Sequence, residues 1–230
     1  AEKPKSSSSD RPSWQPSQTR NSWDHAGEQT GGTSLNSQKQ RCQNNPHPVF
    51  KVDITDLSFI DQVTPPGMQQ GHSVNTMSSL RIKDEAEVPV YMPANGRLKF
   101  GAFHAYENPE GQYFLEFELS CEVSIKFNDL DRVVDALKKV LPQTPQESSA
   151  GQPPTAQVTL KTGDLIGYTR GGVRTNSFQF GLFNTTRKAY SQNMDCPYDY
   201  FSKEMGNRYR ALFDTSEGVT AVKVCSEGIN

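Results

Sequence analysis

Histidine is scarce in this chain: His25, His47, His72 and His104 are all it has in 230 residues. None stands in a His-x-His or His-x-x-x-His spacing, so no ready-made pair of imidazole ligands is present. Cys42, Cys121, Cys196 and Cys225 show no Cys-x-x-Cys or Cys/His spacing, which removes the usual structural zinc sites. No Gly-x-Ser-x-Gly elbow occurs, so a serine nucleophile has no recognisable seat. Gly171-Gly172 has no phosphate-loop context, and the turn at Gly163 carries Asp164 rather than the lysine of a lipoyl or biotinyl attachment site. No apolar run approaches the length needed to span a bilayer. Charge of one sign is also missing. Lys+Arg total 24 against Asp+Glu 26, a net charge of −2, with no basic stripe. That excludes an electrostatic footprint for nucleic acid.

Aliphatic side chains are nearly absent from residues 1–47, which are rich in Ser, Gln, Asn, Pro and Gly. Such a segment cannot bury enough apolar surface to offset chain entropy, so it is expected to be a disordered tether. Trp14 and Trp23 are its two large apolar groups. From residue 48 to residue 230 the composition is that of a globular domain, with residues 142–157 expected to form a flexible internal loop rich in Pro, Gln and Ser. An even cysteine count suits up to two disulfides, with three possible connectivities. A bridge between Cys196 and Cys225 would pin the chain end, whereas Cys121 reads as a buried thiol on the apolar face of a strand. The balance favours an oxidising compartment: secreted, periplasmic or associated with the cell envelope. Asn184-Thr185-Thr186 matches a glycosylation sequon, which has meaning only in a eukaryotic secretory host.

The domain reads as mainly β. Residues 47–54 look strand-like, and Asp56 to Ile60 suits a single turn. Strands are expected at residues 79–82, 88–91, 97–100, 158–160, 165–169 and 177–183. The strongest signal is period-two alternation from Tyr113 to Phe127, which implies a long or bent strand pair. Three carboxylates, Glu116, Glu118 and Glu122, fall on its polar side. After Asn128-Asp129, the residues Leu130, Val133, Val134, Leu137, Val140 and Leu141 recur at helical spacing, so a helical insertion capped there and ended by Pro142 is expected. Pro197 to Phe213 has an apolar stripe suited to a C-terminal helix, and residues 220–225 suit a short closing strand.

Two segments carry a family resemblance: Val90-Tyr91-Met92-Pro93 followed by Gly96, and Gly163-Asp164-Leu165-Ile166-Gly167. With the strand Ser177-Phe178-Gln179-Phe180, they resemble the core of the lysostaphin/LytM-type zinc endopeptidases across residues 77–183. The resemblance implies a barrel-like or sandwich β domain of duplicated hybrid motifs. It further implies a site in which imidazoles and one carboxylate hold zinc and an activated water. Carried over without gaps, the family's first His and Asp fall on Met77 and Arg81, and its His-x-His on Ser177 and Gln179. Glu118 lies close to the place of the general base. No cofactor is therefore expected at these positions.

The expected function is a non-catalytic, peptidase-like module of the cell envelope or extracellular space. Its partner would be a glycan, a peptide or another protein, met by a groove lined with Arg81, Glu118, Ser177 and Gln179. The alternative is a zinc metallohydrolase whose metal has moved to His72, His104 and Glu118. A third reading is a small-molecule carrier with an aromatic pocket around Tyr168, Phe178 and Tyr209.

Overall fold

The structure, a computed structural model, describes residues 42–70, 73–105, 110–172, 175–187, 193–214 and 225. The chain divides into two units, Ala1–Gln40 and Arg41–Asn230. The described residues all belong to the second. Its strands in chain order are β1 (Ile60–Thr64), β2 (Gln69–Gln70), β3 (Ser73–Val74), β4 (Ser78–Ile82), β5 (Val88–Tyr91), β6 (Gly96–His104) and β7 (Gln112–Glu118). There follow β8 (Val123–Leu130), β9 (Arg132–Val133), β10 (Thr159–Leu160), β11 (Leu165–Thr169), β12 (Ser177–Asn184) and β13 (Met194–Asp195). Two α-helices, α1 (Asp135–Lys138) and α2 (Lys203–Arg210), accompany short 3-10 turns at Leu57–Phe59, Lys83–Glu85 and Pro197–Tyr200.

The mainly β expectation holds, and the arrangement is sandwich-like rather than a closed barrel. One antiparallel sheet runs β1-β4-β12-β8-β7-β6-β10, with β13 added alongside β12. A three-stranded sheet, β5-β11-β9, and the β2-β3 pair complete the set. The alternating segment becomes the β7–β8 hairpin, in which Tyr113, Leu115, Phe117, Val123, Ile125 and Phe127 are all buried. These side chains join Leu80, Phe178, Phe180 and Leu182 of the neighbouring strands in one core. Phe127 and Phe180 lie 5.1 Å apart, and Phe50 continues the aromatic run 6.2 Å from Phe180. Each such side chain taken from water contributes about 1.5–3 kcal/mol, which makes this layer the chief source of stability.

Several local expectations are corrected. The helical insertion shrinks to the four residues of α1, because Leu130 and Val133 belong to strands β8 and β9. Asp129 is no cap: it takes a left-handed backbone conformation (φ 65°) within β8, and β9 then pairs with β11. The C-terminal helix is interrupted at Phe201, which bridges to Phe50, so a 3-10 turn and α2 replace one long helix. Ser202 caps α2 by accepting from the Met205 amide. Residues 47–54 give no strand, only that bridge at Phe50. The closing strand expected at 220–225 lies outside the described residues except for Cys225.

Two disulfides form, Cys42–Cys121 and Cys196–Cys225. Cys121 is thus not a buried thiol. The hairpin turn between β7 and β8 breaks the alternation and turns it outward. The compositional change at Pro48 lies inside the unit, since residues 42–46 are joined to the hairpin. The Cys121 amide donates to the Gln43 carbonyl (3.0 Å), and the Asn45 amide to Glu122 Oε2 (2.8 Å). Residues 142–157 follow the outer edge of β6 in part. Gln152 exchanges backbone bonds with Gly101, and Gln146 bonds both Phe103 and Ala105. Below the β12 end, a buried polar chain runs from Asn184 Nδ2 to the Tyr200 hydroxyl (2.7 Å), and from that hydroxyl to Asp195 (2.8 Å). Arg187 closes it on Asp195 at 3.1 Å. Burial pushes the Tyr200 hydroxyl well above the ordinary tyrosine range, so it stays a donor.

Candidate functional site

Directly opposed residues of neighbouring strands share a face, so the register locates the outer surface of the large sheet. Ser177 lies opposite Arg81, and Gln179 opposite both Ser79 and Asn128. Gly181 then faces Lys126, which faces Glu116. One step further, Phe183 faces Ser124, which faces Glu118, which faces Arg97. The four groove residues expected from sequence therefore lie on one face, but at two different ends of it.

At the first end stand the positions that resemblance equates with a metal site. Met77 is buried and packs over Gly181, where an added Cβ would come within 2.7 Å of its Cγ. Arg81 shares register with Ser177, yet its guanidinium belongs to the sheet edge. Its Nε donates to Asp61 Oδ1 at 2.9 Å, and that bond holds the arginine above its usual range. Ser177 is buried and donates its hydroxyl to the Thr175 carbonyl (3.0 Å). Gln179 Oε1 accepts from Asn128 Nδ2 at 3.4 Å. A thioether, a guanidinium, a hydroxyl and an amide do not fit a zinc ion, which takes neutral imidazoles and carboxylate. Asp61, the carboxylate that Arg81 reaches, is already engaged in that pair.

The second end is an open depression of about 190 Å³ spanning β6, β7, β8 and β12. Glu116 forms its floor, with its side chain 10% exposed, between Lys99 Nζ (3.2 Å) and Lys126 Nζ (3.4 Å). Lys126 Nζ also lies 4.3 Å from the centre of the Phe183 ring, a cation–π contact. Glu118 pairs with Arg97 at 2.7 Å. Glu122, Thr185 and Asn193 form the rim, together with Cys121 and its disulfide. The surface alternates in charge and offers an aromatic ring beside hydroxyl and amide groups. Of the expected groove residues, only Glu118 lies here.

Lys99, Lys126 and Phe183 were missed because they come from three strands far apart in sequence and make no motif. The polar side of the alternation held the available signal: Lys126 falls on it with Glu116 and Glu118.

The relocated metal site is not assembled. His104 and Glu118 lie at opposite ends of the β6–β7 pairing, His104 against Gln112 and Glu118 against Arg97. Six strand residues at about 3.4 Å each put them roughly 20 Å apart. No single ion can take both. His72 lies outside the described residues. Among the described residues no group of three or more His, Cys, Asp or Glu side chains is placed to hold a metal. The aromatic pocket does not form either. Phe178 and Tyr209 are packed in the core, while Tyr168 lies under Arg132, whose guanidinium carbon is 3.7 Å from the ring centre.

No family model matches the chain, and no curated protein does. Solved structures similar to it include one of the SpoIIQ–SpoIIIAH pore-forming complex, at 14% identity and a TM-score of 0.47, covering 68% of this chain and 93% of that one. A zinc-containing peptidase from Vibrio cholerae is 18% identical with a TM-score of 0.38, covering 64% of this chain and 38% of that one. The prophage-encoded M23 protein EnpA from Enterococcus faecalis is 8% identical with a TM-score of 0.34, covering 65% of this chain and 94% of that one. No site residue is carried over from them. Among the described residues, no helix is long and apolar enough to cross a membrane.

Proposed function

We propose that this chain is a non-catalytic, peptidase-like module of the cell envelope or extracellular space that binds a partner on the outer face of its large sheet. The observation that carries the reading is the contrast within that face. Where the resembled enzymes keep metal ligands, Met77, Arg81, Ser177 and Gln179 offer no zinc donor set. A short distance away, an open groove with fixed charges is available. Glu116 between two lysines, Glu118 against Arg97 and the Phe183 ring form a lattice of alternating sign. Such a lattice favours a peptide or protein segment of mixed charge over a polymer of uniform charge. The two disulfides suit a secreted, periplasmic or envelope location.

The test is titration of the purified full chain with short mixed-charge peptides, alongside co-sedimentation with insoluble cell-wall glycan. Peptide binding weakened about tenfold or more by Glu118→Ala and by Lys126→Ala is expected, with folding unchanged by circular dichroism. Sedimentation with glycan that those variants leave intact would move the binding surface elsewhere. About one tightly held zinc per chain by elemental analysis after dialysis would overturn the non-catalytic reading itself.

A further inference from the structure

The two disulfides differ in what surrounds them. Cys196 and Cys225 are buried, at 0% and 7% exposure, within the hydrophobic core cluster. Cys42 and Cys121 are both exposed, and Cys121 stands on the rim of the groove. A thiolate attacks a disulfide along the sulfur–sulfur axis, so access to the sulfurs decides which bridge exchanges first. The second difference lies in what each bridge holds. Cys42–Cys121 ties a strap of exposed residues, 42–46, to the turn between β7 and β8. Among the described residues the remaining ties are these: Cys121 amide to Gln43 carbonyl, Asn45 amide to Glu122, and Asn184 Nδ2 to the Pro46 carbonyl at 2.8 Å. Without the bridge, those three hydrogen bonds are what the described residues offer to hold a segment that contributes no side chain to the core before Pro48.

We propose that Cys42–Cys121 is a thiol-exchange site, a latch on the rim of the groove that an external dithiol opens while Cys196–Cys225 stays closed. One thiolate of the dithiol attacks the sulfur of Cys42 or Cys121, forming a mixed disulfide and releasing the other cysteine as thiolate. The second thiol of the reagent then closes its own disulfide and releases the remaining cysteine. Two electrons pass from dithiol to bridge, and the two protons of the dithiol end on the two cysteine thiols. Opening frees the strap from Glu122 and so alters one wall of the groove. The exchange itself does not depend on what the groove binds.

The experiment treats the oxidised full chain with increasing dithiothreitol under native conditions, traps free thiols with N-ethylmaleimide, and maps the labelled cysteines by peptide mass. Cys42 and Cys121 should label at dithiol concentrations at least about tenfold below those that label Cys196 and Cys225. Labelling of all four together, or of the second pair first, would overturn the proposal. Hydrogen exchange gives the second readout. In Cys42→Ser/Cys121→Ser, the amides of Asn45 and residue 121 should lose protection while those of β12 keep it. Unchanged protection at those two positions would overturn the latch even if the labelling were selective. Loss of protection in β12 would show the bridge to be a fold constraint instead, and would overturn it equally.

Discussion

The two ends of the outer sheet face share strands β8 and β12 and the aromatic core beneath them, yet they differ in how their polar groups are spent. At the Arg81–Ser177–Gln179 end, these polar groups bond to their own neighbours: guanidinium to Asp61, hydroxyl to Thr175, amide to amide. At the Glu116–Lys126–Phe183 end, charges are held in a lattice that remains open to solvent on one side. A surface can thus lose the donors of one chemistry and still carry interaction capacity a few residues further along the same strands. What decides it is whether the side chains are used up locally.

The largest expected effect breaks both ends together. Phe180 lies on the inner face beneath them, fully buried between Phe127 and Phe50. Phe180→Ala should cost about 3–5 kcal/mol in chemical denaturation, and binding should fall with folding. Gly181 separates the two ends, with Met77 Cγ 2.7 Å and Phe183 Cε2 3.2 Å from the place of a Cβ. Gly181→Val should cost about 1–3 kcal/mol and displace Phe183, weakening the groove while leaving the Arg81–Asp61 pair intact by NMR. Glu116→Gln sharpens the contrast further. It leaves Lys99 and Lys126 facing each other across a neutral amide, for about 1 kcal/mol after allowance for the lysines' exposure. The reverse change at Gln179 (Gln179→Glu), at the other end of the face, should leave groove binding unaltered.

The smallest effect is a control on the other sheet. Glu87 accepts from Arg132 and faces Arg170, and the Arg132 hydrogen bond leads the causes holding its carboxyl below the usual range of 4.5. A depressed folded value means the stabilisation is present above the unfolded pKa and fades as pH falls through the folded one. Glu87→Gln should therefore lower the melting temperature slightly at pH 7 and converge with the parent in acid. Divergence that grows as pH falls would contradict it.

Period-two alternation made the β7–β8 hairpin readable, because only a strand keeps Tyr113, Leu115, Phe117, Val123, Ile125 and Phe127 on one side. The same rule misplaced Cys121, since a turn resets which side is outer and no alternation count records it. Leu130, Val133 and Leu137 imitate one helix because three- and four-residue steps also arise when a strand ends at Leu130, bends at Asp131 and pairs again before α1. The shared face of Arg81, Ser177, Gln179 and Glu118 was legible from the family resemblance. Its division into two ends was not. That division depends on cross-strand register, which places Gln179 beside Asn128 and Glu118 beside Arg97, and on side-chain pairing such as Arg81 with Asp61. Neither is written in spacing along the chain.

The buried polar chain below β12 bears on how the protein can be made. Asn184 begins the sequence Asn-Thr-Thr, and its Nδ2, the atom that would carry an N-linked sugar, is fully enclosed. Both its hydrogens are taken, by the Pro46 carbonyl and the Tyr200 hydroxyl. In a secretory host that glycosylates nascent chains, the oligosaccharide and the folded state would compete for one nitrogen. Each chain that received the sugar first would be barred from closing the Asn184–Tyr200–Asp195 network. Production yield in such a host becomes a race between a transferase and a β-sheet.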